Sequence, residues 1–208
     1  MEKGAVRQAL AGIPQGGVIS PLLSNIYLHV FDRLWEQGYK QLGTLVRYAD
    51  DFVVMCKRES QAREAYRRTG EILQRLGLML NRERTRLVDL RRGKEGFTFL
   101  GCMARKRRSV QRNPRWHFMQ RWPSPEAMNH LRERIRLLTR VRRNRVRDIR
   151  EMIQSLNPIL RGWGNYFRTG NANREFTEVD SYVWSRILRW QWRRGGQRSR
   201  LCFRALAL

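Results

Sequence analysis

Two short apolar runs flank adjacent carboxylates in the segment Leu45-Val46-Arg47-Tyr48-Ala49-Asp50-Asp51-Phe52-Val53-Val54-Met55. Their β-branched residues, and the polar residues between them, are typical of a strand, a tight turn and a second strand. Adjacent aspartates in a turn are usually just solvated, because Asp is a common turn former. The alternative is that they bind a divalent cation such as Mg²⁺, which prefers hard oxygen ligands and shares its shell with phosphates.

The sequence on both sides of this hairpin predicts two helices and further strands. Ser20-Pro21 supplies an N-cap and a first-turn proline, and the apolar spacing after it predicts a helix that stops before Gly38. Ser60 is placed to cap a second helix, which Gly77 should end. Short apolar runs predict three more strands, at residues 78–80, 87–88 and 97–100. Residues 1–103 are therefore expected to form an α+β domain.

The composition changes near the middle of the chain. Residues 104–123 carry a basic run without clear periodicity, which predicts a linker or surface loop. Ser124-Pro125 repeats the cap-and-proline signal, and the apolar spacing after it predicts a basic helical bundle over residues 124–194. Asn157-Pro158 is expected to divide two of its helices. Residues 195–208 are expected to form a basic tail.

The chain is strongly basic. Its 208 residues include 43 Lys and Arg against 18 Asp and Glu, a formal net charge of +25. Residues 1–100 contribute +6 and residues 101–208 contribute +19, so the predicted bundle is the more cationic part. With 41% apolar residues the chain is too hydrophobic for a disordered basic tail. A folded protein with a nucleic-acid partner is therefore expected.

The cysteines and the apolar runs argue against other classes of protein. Cys56, Cys102 and Cys202 lie far apart with no Cys-X-X-Cys pair, so neither a zinc site nor a disulfide framework is indicated. Such cysteines suit a reducing cytosol, and a cytoplasmic location is expected. No apolar run approaches the roughly 20 residues that span a bilayer, so membrane insertion and export are not expected.

Five motifs resemble, in family order, those of the reverse transcriptases encoded by group II introns. They are Gly12-Ile13-Pro14-Gln15-Gly16-Gly17, Arg47-Tyr48-Ala49-Asp50-Asp51-Phe52, Gly77-Leu78-Met79-Leu80-Asn81, Phe97-Thr98-Phe99-Leu100-Gly101 and Leu156-Asn157-Pro158-Ile159-Leu160-Arg161-Gly162-Trp163-Gly164-Asn165-Tyr166-Phe167. The last resembles the signature of the maturase, or thumb, domain. The resemblance implies the C-terminal part of a polymerase palm, with short antiparallel strands and packed helices, followed by a basic all-α thumb. It also implies RNA-directed DNA polymerase activity with Mg²⁺.

The resemblance assigns residues to each role. Asp50 and Asp51 are the expected catalytic residues and Mg²⁺ ligands, since the family's Tyr-X-Asp-Asp hairpin holds catalytic metal. The expected nucleotide- or template-binding residues are Pro14, Gln15, Gly16, Gly17, Tyr48, Asn81 and Arg84. The expected RNA-binding residues are Arg161, Trp163, Tyr166, Arg168, Arg189 and Arg193.

Several of these residues also have simpler interpretations. Tyr48 is equally compatible with core packing and with contact to the primer end, and Asn81 can simply cap a turn. The family usually has Lys at the position of Arg84, and Arg changes the hydrogen-bond geometry. Aromatic residues at helical spacing are more often core than stacked on bases, so most rings of the bundle are expected to pack.

The resemblance implies a larger catalytic site than one hairpin. A two-metal site needs carboxylates from two places, and in the family the other aspartate lies on an earlier palm strand. The only carboxylate before Pro14 is Glu2, and Asp32 falls within the predicted long helix. The chain is therefore expected to be inactive alone, as a truncated frame or as one piece of a split enzyme that needs an upstream fingers and palm fragment.

The expected partners are intron or template RNA, primer DNA and deoxynucleoside triphosphates, with no membrane. One alternative is an RNA-binding splicing maturase fragment without polymerase chemistry. Another is a relative of the reverse transcriptases associated with CRISPR systems, whose palms are similar.

Overall fold

The computed structural model describes residues 18–108, 117–140 and 148–195 of the chain. The chain divides into two compact units, Met1–Asp89 and Leu90–Leu208. Each unit contains helices and short antiparallel strands, so the expected α+β class is confirmed.

The first unit contains a two-stranded hairpin between two helices. Its elements, in chain order, are helix α1 Ser20–Gly38, strand β1 Thr44–Tyr48, strand β2 Asp51–Met55 and helix α2 Glu59–Arg75. Strands β1 and β2 are antiparallel, with Tyr48 opposite Asp51. The hairpin and both helices predicted from the sequence are confirmed, but their N-caps are not. Ser20 is already inside α1, whose N-cap is Ile19, and Ser60 is inside α2, whose N-cap is Arg58.

The helices and the hairpin of the first unit share one core. Its buried hydrophobic members are Leu28, Phe31 and Trp35 of α1, spaced three and four residues apart, and Ala65, Ile72 and Leu73 of α2. Phe52 and Val54 of β2 pack against the same cluster. In contrast to these buried residues, Asp50 and Asp51 are exposed at the hairpin tip.

Helix α2 ends at a glycine-dependent cap. Gly77 has a φ of +68°, which favours glycine, and the N–H of Leu78 donates to the carbonyl oxygen of Leu73 at 2.8 Å. Gly77 thus ends the helix as predicted. The strands expected at residues 78–80 and 87–88 do not form: within the described residues these segments pair with no strand, and the Leu78 and Leu80 side chains pack against the core instead.

The second unit begins with a three-stranded antiparallel sheet in the order β3-β4-β5. Strand β3 spans Gly96–Phe99, β4 spans Cys102–Arg108 and β5 spans His117–Pro123. This arrangement corrects the expected linker, since the described residues of 104–123 are largely strand and the compact units divide at Asp89–Leu90.

Basic side chains obscured the strand pattern of β4. Arg105 Nε donates to the carbonyl oxygen of Gly93 at 2.7 Å. The guanidinium of Arg107 lies over the ring of Trp122, 4.4 Å from its centroid, in a cation–π contact. Two of the four basic side chains of β4 thus have partners, one on the preceding turn and one on β5, and a run of arginines in the sequence does not exclude a strand.

Three helices follow the sheet in the described part of the second unit. They are α3 Pro125–Leu138, α4 Ile149–Phe167 and α5 Asn173–Gly195. Ser124 caps α3 as predicted, because its hydroxyl accepts a hydrogen bond from the N–H of Ala127 at 3.2 Å. The buried core of this bundle is formed by Met128, Leu131, Ile135, Met152, Leu156, Val179 and Trp190. In the part of the chain that the structure describes, no helix is both long and apolar enough to cross a membrane.

Pro158 lies inside α4, where the sequence predicted a break between two helices. Proline removes one backbone donor and usually kinks or ends a helix. Met152 and Leu156 before it, and Phe167 after it, are all buried. The apolar face thus continues across the proline, and its packing outweighs the missing hydrogen bond.

Backbone hydrogen bonds join the sheet of the second unit to its helices. The N–H of Ser124 donates to the carbonyl oxygen of Gly101 at 2.8 Å. The N–H of Asn171, between α4 and α5, donates to the carbonyl oxygen of Arg121 at 2.7 Å. These bonds explain why the strands belong to the same compact unit as the bundle.

Replacing Ile135 with Ala should destabilise the second unit more than the same change at Leu137. Ile135 has 0% of its surface exposed, whereas Leu137, on the same helix, is 47% exposed. Truncating a buried Ile costs about 2–5 kcal/mol, because the packing of its side chain is removed and a cavity remains. The exposed control should cost about 0.5 kcal/mol or less. Urea unfolding followed by circular dichroism measures both, and equal destabilisation would contradict the assigned helix faces.

Candidate metal and nucleic-acid sites

The tip of the β1–β2 hairpin is a two-residue loop formed by Ala49 and Asp50. Ala49 has a φ of +52°, and Asp50 has no positive φ. A positive φ at the first loop residue alone is the pattern of a type II′ turn. For a residue with a Cβ atom this conformation is unfavourable by about 1–2 kcal/mol. Neighbouring side chains therefore have to hold the turn.

Arg47 of β1 makes the contacts that hold it. Its Nη1 donates to the carbonyl oxygen of Ala49 at 2.7 Å and to Asn25 Oδ1 at 3.1 Å. Its Nε and Nη2 donate to the two carboxylate oxygens of Asp32 at 2.8 and 2.5 Å. The Arg47 side chain is 11% exposed. Hydrogen bonding to Asp32 raises the pKa of Arg47, against the opposing effect of burial, so the guanidinium remains charged.

Among the described residues, Asp50 and Asp51 have no protein cation as a partner. Both are exposed, and neither carboxylate has a hydrogen bond or salt bridge to another described residue. The nearby Arg47 forms its salt bridge with Asp32 and not with the turn carboxylates. Adjacent unpaired carboxylates suit Mg²⁺, which is typically bound through one or two carboxylates, with water and substrate phosphates completing the shell. In the described ranges, the turn included, no group of three or more His, Cys, Asp or Glu is arranged to hold a metal, so the turn offers two carboxylates and not a complete ligand set.

The other residues expected near the hairpin have different outcomes. Pro14, Gln15, Gly16 and Gly17 lie outside the described residues. Tyr48 is 65% exposed, so of its two interpretations core packing is excluded.

Asn81 caps a local turn, the simpler of its two interpretations. Its Oδ1 accepts hydrogen bonds from the N–H groups of Glu83 and Arg84 at 3.1 and 3.3 Å, and its carbonyl oxygen accepts one from Thr85 at 2.9 Å. The Arg84 side chain is exposed. The turn thus fixes the backbone at Arg84 and leaves its side chain accessible.

The expected RNA-binding residues of the bundle divide into exposed and packed ones. The exposed arginines are Arg161, Arg168, Arg189 and Arg193. Trp163 differs from them, since its ring centroid lies 4.9 Å from that of Phe167 and 5.2 Å from that of Phe176. Its Nε1 is buried without a hydrogen-bond partner in the described residues. Trp163 therefore packs in the bundle.

Tyr166 supports the sheet of the second unit. Its hydroxyl donates to the carbonyl oxygen of Leu100 at 2.9 Å. Leu100 and Gly101 both have positive φ, +49° and +71°, and form the two-residue turn between β3 and β4. Tyr166 is still 57% exposed, so part of its surface remains accessible.

Two further residues, Arg186 and Trp192, lie on α5 near the exposed Arg189 and Arg193. Arg186 Nε donates to Thr139 Oγ1 at 2.8 Å. Burial lowers the pKa of Arg186, and the nearby cations Arg189 and Arg193 lower it further. The three arginines recur at three- and four-residue intervals, a sequence signal that puts them on one face. Trp192 is 56% exposed beside them.

Two family models match the chain. Residues 2–104 match the reverse transcriptase (RNA-dependent DNA polymerase) model, and residues 128–204 match the group II intron, maturase-specific domain. Protein YkfC of Escherichia coli (strain K12) is 31% identical over 174 residues, covering 68% of this chain and 44% of YkfC. The chain thus spans less than half the length of this curated relative. Because a reverse transcriptase match is followed by a maturase match, the chain belongs to the family of group II intron reverse transcriptases and maturases.

Proposed function

We propose that the Asp50–Asp51 turn is the metal-binding part of an RNA-directed DNA polymerase site. In this proposal RNA templates the extension of a DNA primer by deoxynucleoside triphosphates. The observation that carries it is the exposed pair of carboxylates without a protein cation among the described residues. A maturase fragment without polymerase chemistry is not favoured, because residues 2–104 match the reverse transcriptase model.

The family generally uses a divalent metal ion, and we assign Mg²⁺ to this site. Hard carboxylate oxygens and an open shell support the assignment. When bound, the metal supplies positive charge to the primer hydroxyl and to the phosphates of the nucleotide. Asp50 and Asp51 hold that charge beside the primer end, and the exposed Tyr48, opposite Asp51, contacts the primer.

One hairpin does not complete a two-metal site, whose ions must be held on both the attacking and the leaving oxygen. At least one further carboxylate is therefore assigned to a segment outside the described residues, such as a fingers and palm fragment. Residues 14–17 and Arg84 are proposed as nucleotide or template contacts, whereas Asn81 contributes through the turn that it caps.

RNA and other nucleic acids are the general partners of both families, and we assign the RNA surface of the bundle to its exposed cations. The members are Arg161 on α4, Arg168 directly after it, and Arg189 and Arg193 on α5; the partly buried Arg186 lies about one turn before Arg189 on α5. Trp192 is exposed among these arginines, so it is better suited than Trp163 to stack on an unpaired base.

Replacing Asp50 with Asn should abolish metal-dependent activity, because an amide cannot offer the same charge to the cation. Primer extension on an RNA template, by the full chain alone or with an added fingers and palm segment, should fall more than about 100-fold, since outer-shell changes alone cost about 10–100-fold. Mn²⁺ broadening of the turn amide resonances gives a second readout. Asp180→Asn, at an exposed carboxylate of α5, is the charge-matched control. Full activity of Asp50→Asn would remove Asp50 from the site.

Replacing Arg189 with Ala should weaken RNA binding and flatten its salt dependence. Removing one phosphate contact should change the log–log slope by about 0.7–0.9, because fewer counterions are released. Arg174→Ala is the matched control, since Arg174 lies on the same helix and is 86% exposed but paired with Glu178. A salt titration of affinity measures both variants. Equal effects would reject a specific surface in favour of overall charge.

Replacing Trp163 with Ala should affect stability, whereas replacing Trp192 with Ala should affect RNA recognition. Trp163→Ala removes a packed ring and should cost about 3–5 kcal/mol of stability. Trp192→Ala should leave stability nearly unchanged and reduce the preference for RNA with unpaired bases over a regular duplex, whose helix hides its bases. Urea unfolding and competition binding measure the two effects. The assignment fails if Trp192→Ala destabilises the bundle while the RNA preference is retained.

A further inference from the structure

Arg47 contacts both helix α1 and the turn that carries the carboxylates. Two of its donors bind Asp32, and a third group, Nη1, is shared between Asn25 and the carbonyl oxygen of Ala49. Asn25 and Asp32 are seven residues apart on α1, which is about two helical turns, so they present their oxygens on the same face. The guanidinium therefore joins two turns of one helix to one carbonyl of the hairpin.

The hydrogen bond from Arg47 to the Ala49 carbonyl oxygen directly affects the backbone orientation of Asp50. This carbonyl belongs to the peptide group that links Ala49 to Asp50, and a peptide group is planar. Fixing the oxygen therefore fixes the N–H of Asp50 and the direction in which the chain enters that residue. Because Ala49 adopts a positive φ, the turn lacks an intrinsic preference for this conformation and needs an external contact.

The pairing with Asp32 orients Arg47 for its hydrogen bond to the Ala49 carbonyl oxygen. Bidentate pairing of a carboxylate with Nε and Nη2 fixes the plane of the guanidinium, which leaves Nη1 at a defined position. Lys cannot reproduce this geometry, because its ammonium is a single compact charge. The pairing also keeps the Arg47 charge engaged by Asp32, so the turn carboxylates remain available to a metal ion.

We propose that Arg47, oriented by Asp32 and Asn25, is a positioning residue that holds the Ala49–Asp50 turn in the conformation that binds metal. The inference rests on the proposed function for its consequence, metal binding at Asp50 and Asp51. Arg47 should hold the turn whether or not metal is bound, so this effect is measured on the metal-free protein, separately from metal affinity.

The first arm of the test is amide hydrogen exchange of the full chain without metal. Arg47→Lys should accelerate exchange at the turn amides, residues 49–51, by about tenfold or more, the factor expected when one charge-assisted hydrogen bond is removed. Amides in the core of α2 should be unaffected. Asn25→Ala removes one acceptor and leaves the Asp32 pair, so it should fold readily and accelerate the same amides to a smaller extent.

Arg63→Lys is the matched control. Arg63 forms an exposed pair with Glu59 on α2, with both side chains more than half exposed, and contacts no part of the turn. It should change neither exchange at residues 49–51 nor metal affinity. Unchanged turn exchange in both Arg47→Lys and Asn25→Ala would overturn the inference.

The second arm is Mn²⁺ affinity, measured by electron paramagnetic resonance of the free ion. Arg47→Lys should weaken binding about 10–100-fold, as outer-shell changes do at metal sites. A purely structural salt bridge would lower the stability of the first unit and leave Mn²⁺ affinity unchanged, which would also overturn the positioning role. If the wild type and Asp50→Asn bind Mn²⁺ equally, the proposed function fails, while the exchange arm still decides whether Arg47 holds the turn.

Discussion

Phe31 has no exposed surface, and its ring centroid lies 5.3 Å from that of Phe52 on the neighbouring hairpin. Close-packed interiors accommodate little change in volume, so this pair of rings sets the separation of helix and strand. At that separation the side chain of Arg47, which is opposite Phe52 in the hairpin, reaches Asp32 on the helix. The aromatic contact therefore determines the geometry from which the ionic contacts and the turn follow.

Most carboxylates of helix α2 are paired with arginines on the same helix. Glu64 accepts hydrogen bonds from both Arg67 and Arg68, and these bonds lower the pKa of its carboxyl group to about 2. Such carboxylates have their charge compensated within one helix surface. Within the described part of the chain the turn carboxylates lack this compensation, and the bundle has the reverse imbalance, an excess of cations. The chain thus has an uncompensated negative point in one unit and an uncompensated positive surface in the other, and a metal ion and RNA are complementary to them.

Local rules predicted the features that depend on a few neighbouring residues. Gly77 and Ser124 act as the predicted helix ends because each requirement, a positive φ and a side-chain acceptor, is local. The strands within 104–123 were missed, since their arginines find partners on other strands and loops that the sequence does not reveal. The hairpin with its carboxylates was predicted, but the pairing of Arg47 with Asp32 was not. Those residues are 15 positions apart and meet only after the helix packs on the hairpin.

The bonds between sheet and bundle in the second unit bear on where the chain can be divided for study. A fragment that begins at Ser124 would lack the carbonyl groups of Gly101 and Arg121, which accept the N–H groups of Ser124 and Asn171. Two donors at the ends of the helices would then depend on water. A fragment that begins near Leu90 retains both acceptors, so a fragment designed to keep the helix ends satisfied has to include β4 and β5, most of which the composition had assigned to a linker.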